Sequence, residues 1–99
     1  MALELRRGAL VLAILSQLRE EHYGYSLRER LTRKGLEIHE GTLYPLLRRL
    51  EDQGFLESRW KVEGRRPRRY YRISREGRKV LARMKRDWQD LVRVVNQLL

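Results

Sequence analysis

A chain of 99 residues makes one small domain, and without a single cysteine it has no disulfide framework, no thiolate zinc site and no cysteine nucleophile. Hydrophobic residues at 41% beside charged residues at 36% exclude an intrinsically disordered chain. The formal net charge of +10 makes polyanions the natural partners, whether DNA, RNA or an anionic membrane surface.

The segment Met1 to Arg7 followed by the apolar run Ala9 to Leu15 faintly resembles a signal peptide. Glu4 and the polar stretch Gln17 to His22 leave it without a small-residue cleavage site, so no targeting segment is read. The same apolar run falls far short of the roughly 20 residues of a bilayer span. A cytoplasmic protein is the default expectation, and a domain this small gains from a partner copy.

Leu3 to about Glu20 reads as a first helix, with Leu5, Leu10, Leu12, Ile14, Leu15 and Leu18 on most of its sides. A helix apolar all round is buried or pairs with another chain. His22 to Gly24 interrupts the pattern, and Ser26-Leu27-Arg28-Glu29 has capping-box spacing, opening a second helix that runs to Lys34. Leu27 and Leu31 form its inner side, and Gly35 supplies a left-handed stop.

A third helix is expected from Thr42 to Gln53, closing at Gly54, with Leu43, Leu46, Leu47 and Leu50 as its apolar stripe. Tyr44, Pro45, Arg48, Arg49 and Asp52 fall on or beside the opposite face. Pro45 costs little if Thr42 caps the helix, because the first turn has backbone N–H groups without partners anyway.

From Leu56 to Val62 the residues alternate apolar or small with charged, Gly64 to Arg68 breaks the alternation, and Arg69-Tyr70-Tyr71-Arg72-Ile73 resumes it. This is a β-hairpin with an arginine-loaded tip. Between Arg59 and Lys79, ten Arg and Lys residues face only Glu63 and Glu76, so a net +8 of the chain's +10 is concentrated there. Tyr71 shares a strand face with Ile73 and is expected in the core, while Tyr70 points the other way.

Ser74 opens a last helix that continues to Leu99. Leu81, Met84, Trp88, Leu91, Val95 and Leu98 step by three and four residues, a heptad seam of nearly three repeats. Little of the chain remains to cover that seam, so a second copy is the expected cover. The order helix, helix, helix, hairpin, helix is a mostly α fold with a small β-hairpin. It is a winged helix-turn-helix over residues 1–73 followed by a dimerisation helix over 74–99, within one compact domain.

Tyr23-Gly24-Tyr25, the block Glu40 to Leu50 with its Gly-Thr-Leu-Tyr-Pro-Leu-Leu run, and Arg69 to Ser74 with Gly77 resemble the PadR-like family of bacterial and archaeal transcriptional regulators. The likeness covers nearly the whole chain, and the single helix after the hairpin resembles the family's short branch, which dimerises through its first and last helices. It implies DNA contacts at Thr42, Tyr44, Pro45, the arginines of the third helix and the basic wing from Arg65 to Arg69. It also implies effectors that are often aromatic or cationic and bind near the dimer interface. The wing here is richer in arginine than the family pattern.

In chemical terms, Arg48 or Arg49 can donate bidentately to guanine O6 and N7, and the Thr42 hydroxyl can reach a base edge or a phosphate. Arg65, Arg66, Arg68 and Arg69 surround one proline with no acid between them, which suits phosphate or minor-groove contact. Tyr70 either bonds a phosphate or covers the hairpin. Trp88 either packs in the seam or lines an effector pocket made by two indoles. His22 and His39 are too few and too isolated for a metal site, no cofactor is implied, and no catalytic motif occurs. The expectation is a homodimeric, sequence-specific DNA-binding repressor, open to an effector, that is not an enzyme. The alternative is a constitutive architectural DNA-binding or RNA-binding protein.

Overall fold

The computed structural model describes residues 3–99, with side chains from residue 7 onward. Met1 and Ala2 of the signal-like lead-in, and the Leu5 side chain, lie outside the described residues. The elements are α1 (Leu3–Gln17), β1 (His22–Tyr23), α2 (Gly24–Arg33), α3 (Glu40–Asp52), β2 (Leu56–Glu63), β3 (Arg66–Ile73) and α4 (Arg75–Leu98). Every expected element is present, and β1 is added to them.

The core forms where the apolar stripes meet. Leu10, Ile14, Leu15 and Leu18 of the first helical segment pack with Leu27 and Leu31 of α2 and with all four stripe leucines of α3. Leu56, Tyr71 and Ile73 close this core from the sheet, and Leu81 closes it from α4. Leu12 is only partly buried against it.

Several boundaries depart from the sequence reading. The first helix stops at Gln17 rather than Glu20, because the Leu18 carbonyl turns to accept the Ile73 N–H at 2.7 Å. Residues 22–23, which look like a mere interruption, add a third strand along β3, pairing His22 with Tyr71 and Tyr23 with Tyr70. Helix α2 begins at Gly24 instead of Ser26, and the capping box does not form. The Ser26 hydroxyl instead donates back to the Tyr23 carbonyl at 3.0 Å.

Thr42 likewise does not cap α3. His39 occupies that position without a side-chain cap bond, and Thr42 and Leu43 donate to its carbonyl at 3.0 and 2.9 Å. Pro45 is therefore the sixth helical residue, inside the helix. The carbonyl it leaves without an N–H belongs to Gly41, which is exposed, so water can satisfy it.

Gly54 ends α3 with φ 86° and sends the chain into the hairpin. The hairpin turns on Gly64 and Arg65, where Glu63 pairs with Arg66 and Gly64 has φ 64°, the sign a type II′ turn needs at its first central residue. Hydrogen-bonded pairs then alternate up the ladder, and Pro67 opposite Val62 falls on a pair that exchanges no bonds across the hairpin. Its missing N–H would point past the end of β1, so proline costs the sheet nothing there. Ser74 caps α4, accepting from the Gly77 N–H at 3.0 Å and donating to the Gly54 carbonyl at 2.6 Å, which ties the α4 start to the end of α3.

Candidate nucleic-acid interface

The buried stripe of α3 dictates what its other side presents. With Leu43, Leu46, Leu47 and Leu50 inward, Thr42, Pro45, Arg48 and Arg49 are exposed and Tyr44 is half-buried. Helical spacing divides them into two edges. Thr42, Pro45 and Arg49 border a groove toward Arg7 of α1, whereas Tyr44 and Arg48 border a recess toward the wing. That recess, about 380 Å³, is walled by Tyr23, Tyr25, Trp60, Arg68 and Arg69 among others.

The wing's charges are not all free. Arg59 and Lys61 converge on Glu21 at 2.7 and 2.5 Å, and their hydrogen bonds hold that carboxyl down at about 2. Arg68 pairs with Glu63 at 3.4 Å and lies over the Tyr23 ring. Arg72 pairs with Glu57 at 3.4 Å. Arg69 is bound most completely: its Nη2 donates to Glu51 of α3 at 2.9 Å and its Nε to Ser58 Oγ at 3.0 Å. Ser58 closes the triangle by donating to the same Glu51 carboxylate at 2.5 Å. Arg69 therefore braces the wing against α3.

Two hairpin cations, Arg65 and Arg66, are exposed with no acidic partner among the described residues, and the same holds for Arg48 and Arg49 on α3. Tyr70 points away from Tyr71 as alternation requires, yet it is buried at 8% exposure. The Tyr23 ring meets it edge-on, Lys61 lies over its face, and its hydroxyl donates to Glu63 at 2.5 Å. That bond raises the hydroxyl's pKa. Tyr70 covers the hairpin, and its hydroxyl is occupied.

The heptad seam of α4 is split by the fold. Leu81 lies in the chain's own core and Met84 packs against it. Beyond them every residue from Lys85 to Leu99 is exposed, including Trp88, Leu91, Val95 and Leu98, so the distal helix projects from the body with an apolar face uncovered. His22 is half-buried, its Nε2 unpartnered, and burial lowers its pKa. No cluster of three metal-ligating side chains occurs, and no helix is long and apolar enough to cross a membrane, among the described residues.

What reasoning from sequence missed is the set of acids that neutralise the wing. Glu21 lies 38 residues from Arg59, and Glu51 lies 18 from Arg69. Only the Glu57–Arg72 pair and the Glu63–Arg68 pair had a signal, since hairpin register sets Glu57 opposite Arg72 and Glu63 two residues from the partner of Arg68.

This architecture has close counterparts. The model of the transcriptional regulator PadR-like family matches residues 11–83. Transcriptional regulator Rv3488 of Mycobacterium tuberculosis is 40% identical over 93 residues, covering 93% of this chain and 87% of that protein. The crystal structure of a PadR family transcriptional regulator from Eggerthella lenta superposes with a TM-score of 0.92 at 51% identity, covering 97% of this chain and 86% of that one. A PadR-like transcriptional regulator from Bacillus cereus superposes with a TM-score of 0.86 at 33% identity, covering 96% and 95%.

Proposed function

Since the chain belongs to the PadR-like family of transcriptional regulators, we propose that it is a cytoplasmic, homodimeric, sequence-specific repressor that binds operator DNA and releases it in response to a small-molecule effector. One observation carries the DNA-binding part. Four exposed guanidinium groups, Arg48 and Arg49 on α3 and Arg65 and Arg66 on the wing, have no acidic partner among the described residues in a protein of charge +10. An exposed helix face with basic and hydroxyl side chains suits the major groove, and a two-residue turn tipped with arginine suits the neighbouring backbone or minor groove.

In this reading residues 1–73 hold the DNA and residues 74–99 join the copies. The uncovered apolar face of distal α4 supports the pairing, because nonpolar side chains arranged at heptad spacing are stable in water only when a partner covers them. Two recognition helices about 34–36 Å apart would then enter successive major grooves of a pseudo-palindromic site. An operator overlapping a promoter would exclude polymerase. Trp88, on the uncovered face, is the position for effector contact, where a flat aromatic or cationic compound would lie against paired indoles and alter the angle between the two α4 helices.

Selection of bound sequences from a random duplex pool tests this directly. Enriched inverted repeats with half-sites about one helical turn apart are the expected result, and an unenriched pool would refute the regulator reading. On a selected operator, Arg48→Ala or Arg49→Ala should narrow the gap between operator and random duplex, while Arg66→Ala should weaken both alike.

A further inference from the structure

Beside the wing's arginines runs an exposed nonpolar strip. Trp60 and Val62 of β2 are 64% and 72% exposed, and Pro67 of β3 is exposed beside them. Strand alternation puts Trp60 and Val62 on the face that carries Leu56 and Ser58, and Val62 stands directly opposite Pro67. This is the face turned to α3, since Ser58 bonds Glu51 and Trp60 borders the recess with Tyr44 and Arg48. The opposite face presents Glu57, Arg59, Lys61 and Glu63. A single exposed apolar side chain needs no explanation, but three contiguous ones on the side of the proposed DNA interface, next to the unpaired Arg65 and Arg66, do.

Charge explains how a nucleic-acid backbone is drawn to this place but not which nucleic acid, because RNA and DNA carry the same phosphates. What differs is the sugar. A minor groove of DNA shows C–H groups along its sugar edge, whereas one of RNA displays 2′-hydroxyls. A hydroxyl pressed against an indole and a valine loses its water without gaining a hydrogen bond, and a deoxyribose suffers no such loss.

We propose that Trp60, Val62 and Pro67 pack against the deoxyribose edge of the minor groove and make the wing a discriminator of DNA from RNA. This rests on the DNA-binding reading above and adds a sugar-sensing surface to it. The strip holds no charge, so its contribution is independent of salt, unlike that of its arginine neighbours.

The test uses the full-length protein and an operator recovered by selection, prepared as DNA and again with ribonucleotides only in the flank the wing reaches. The wild-type protein should bind the ribose-flanked operator about tenfold more weakly. Trp60→Ala should lose about tenfold on the DNA operator with an unchanged salt slope, and should no longer distinguish the two flanks. Val62→Ser, at a more exposed position, serves as the second variant, with circular dichroism and thermal midpoint confirming that both fold. Operator binding that tolerates flank ribose, or a Trp60→Ala protein penalised by ribose as heavily as wild type, overturns the strip's role and leaves the regulator reading standing. Wild-type protein that binds no DNA duplex at all overturns both.

Discussion

Salt dependence is where the ion pairs of the wing have their largest measurable consequence. The hairpin holds seven cations, Arg59, Lys61, Arg65, Arg66, Arg68, Arg69 and Arg72, and five of them are paired with Glu21, Glu51, Glu57 or Glu63. If all seven met phosphates in both copies of a dimer, with Arg48 and Arg49 on base edges, fourteen contacts would give a log–log salt slope of about −13. If only Arg65 and Arg66 of each copy do, four contacts give a slope of about −4 and an affinity loss of about 10²-fold from 50 to 200 mM salt. Fluorescence anisotropy with a labelled operator at four or five salt concentrations separates these values. Arg66→Ala should flatten the slope by about 2, one contact per copy, whereas Arg69→Ala should leave it unchanged while loosening the wing. A slope near the larger value, or equal flattening by Arg69→Ala and Arg66→Ala, would mean that the internal ion pairs open on binding and that the structure's division of the arginines is wrong.

Leu91→Lys, placing a charge on the uncovered face of α4 where Leu91 is 58% exposed, should yield monomers by light scattering without loss of fold; an unchanged dimer mass would put the interface elsewhere. Glu21 titrates well below the usual carboxylate range, so its contribution to stability is complete above about pH 4.5 and is lost as pH falls toward about 2. Urea midpoints of wild type and Glu21→Gln should therefore differ by a constant amount at neutral pH and converge in acid, and a gap that persists at pH 2 contradicts the assignment. Gly77→Ala would put a methyl group 2.1 Å from the Phe55 carbonyl oxygen, which is backbone and cannot swing away, and should cost about 2 kcal/mol in chemical denaturation. The same substitution at Gly24 first meets the Tyr44 side chain, which can swing away, so it should cost less stability and act instead on DNA affinity by displacing Tyr44 from the recess.

Local pattern made much of this molecule legible. The four leucines of α3 announce their helix by spacing alone, and burial follows because a stripe that apolar has no other stable placement. Gly35, Gly54 and Gly64 all adopt positive φ where the pattern asks for a stop or a turn. What could not be read depends on partners distant in sequence. A two-residue strand has no periodicity, and β1 exists because β3 offers an open edge. Helix α2 begins at Gly24, directly after the extended Tyr23 of β1, and Gly24 lies against Tyr44 of α3, where any side chain would collide with the ring. Pro45 looks like a helix start because proline usually is one, yet the exposed carbonyl of Gly41 lets it sit a turn deeper.

The same distinction governs the candidate site. A run of like charge in sequence is a statement about neighbours along the chain, while a phosphate responds to neighbours in space. Glu21 and Glu51, outside the basic segment, tie Arg59 and Lys61 to the body and Arg69 to α3. Rigidity of that kind bears on selectivity. A wing held at one angle by the Glu51–Ser58–Arg69 triangle can hold Arg65 and Arg66 at one spacing from Arg48 and Arg49, whereas a freely moving basic loop would bind any polyanion alike. Four of the hairpin's six guanidinium groups are tied to acids within the protein, which leaves Arg65 and Arg66 as the two without an acidic partner among the described residues.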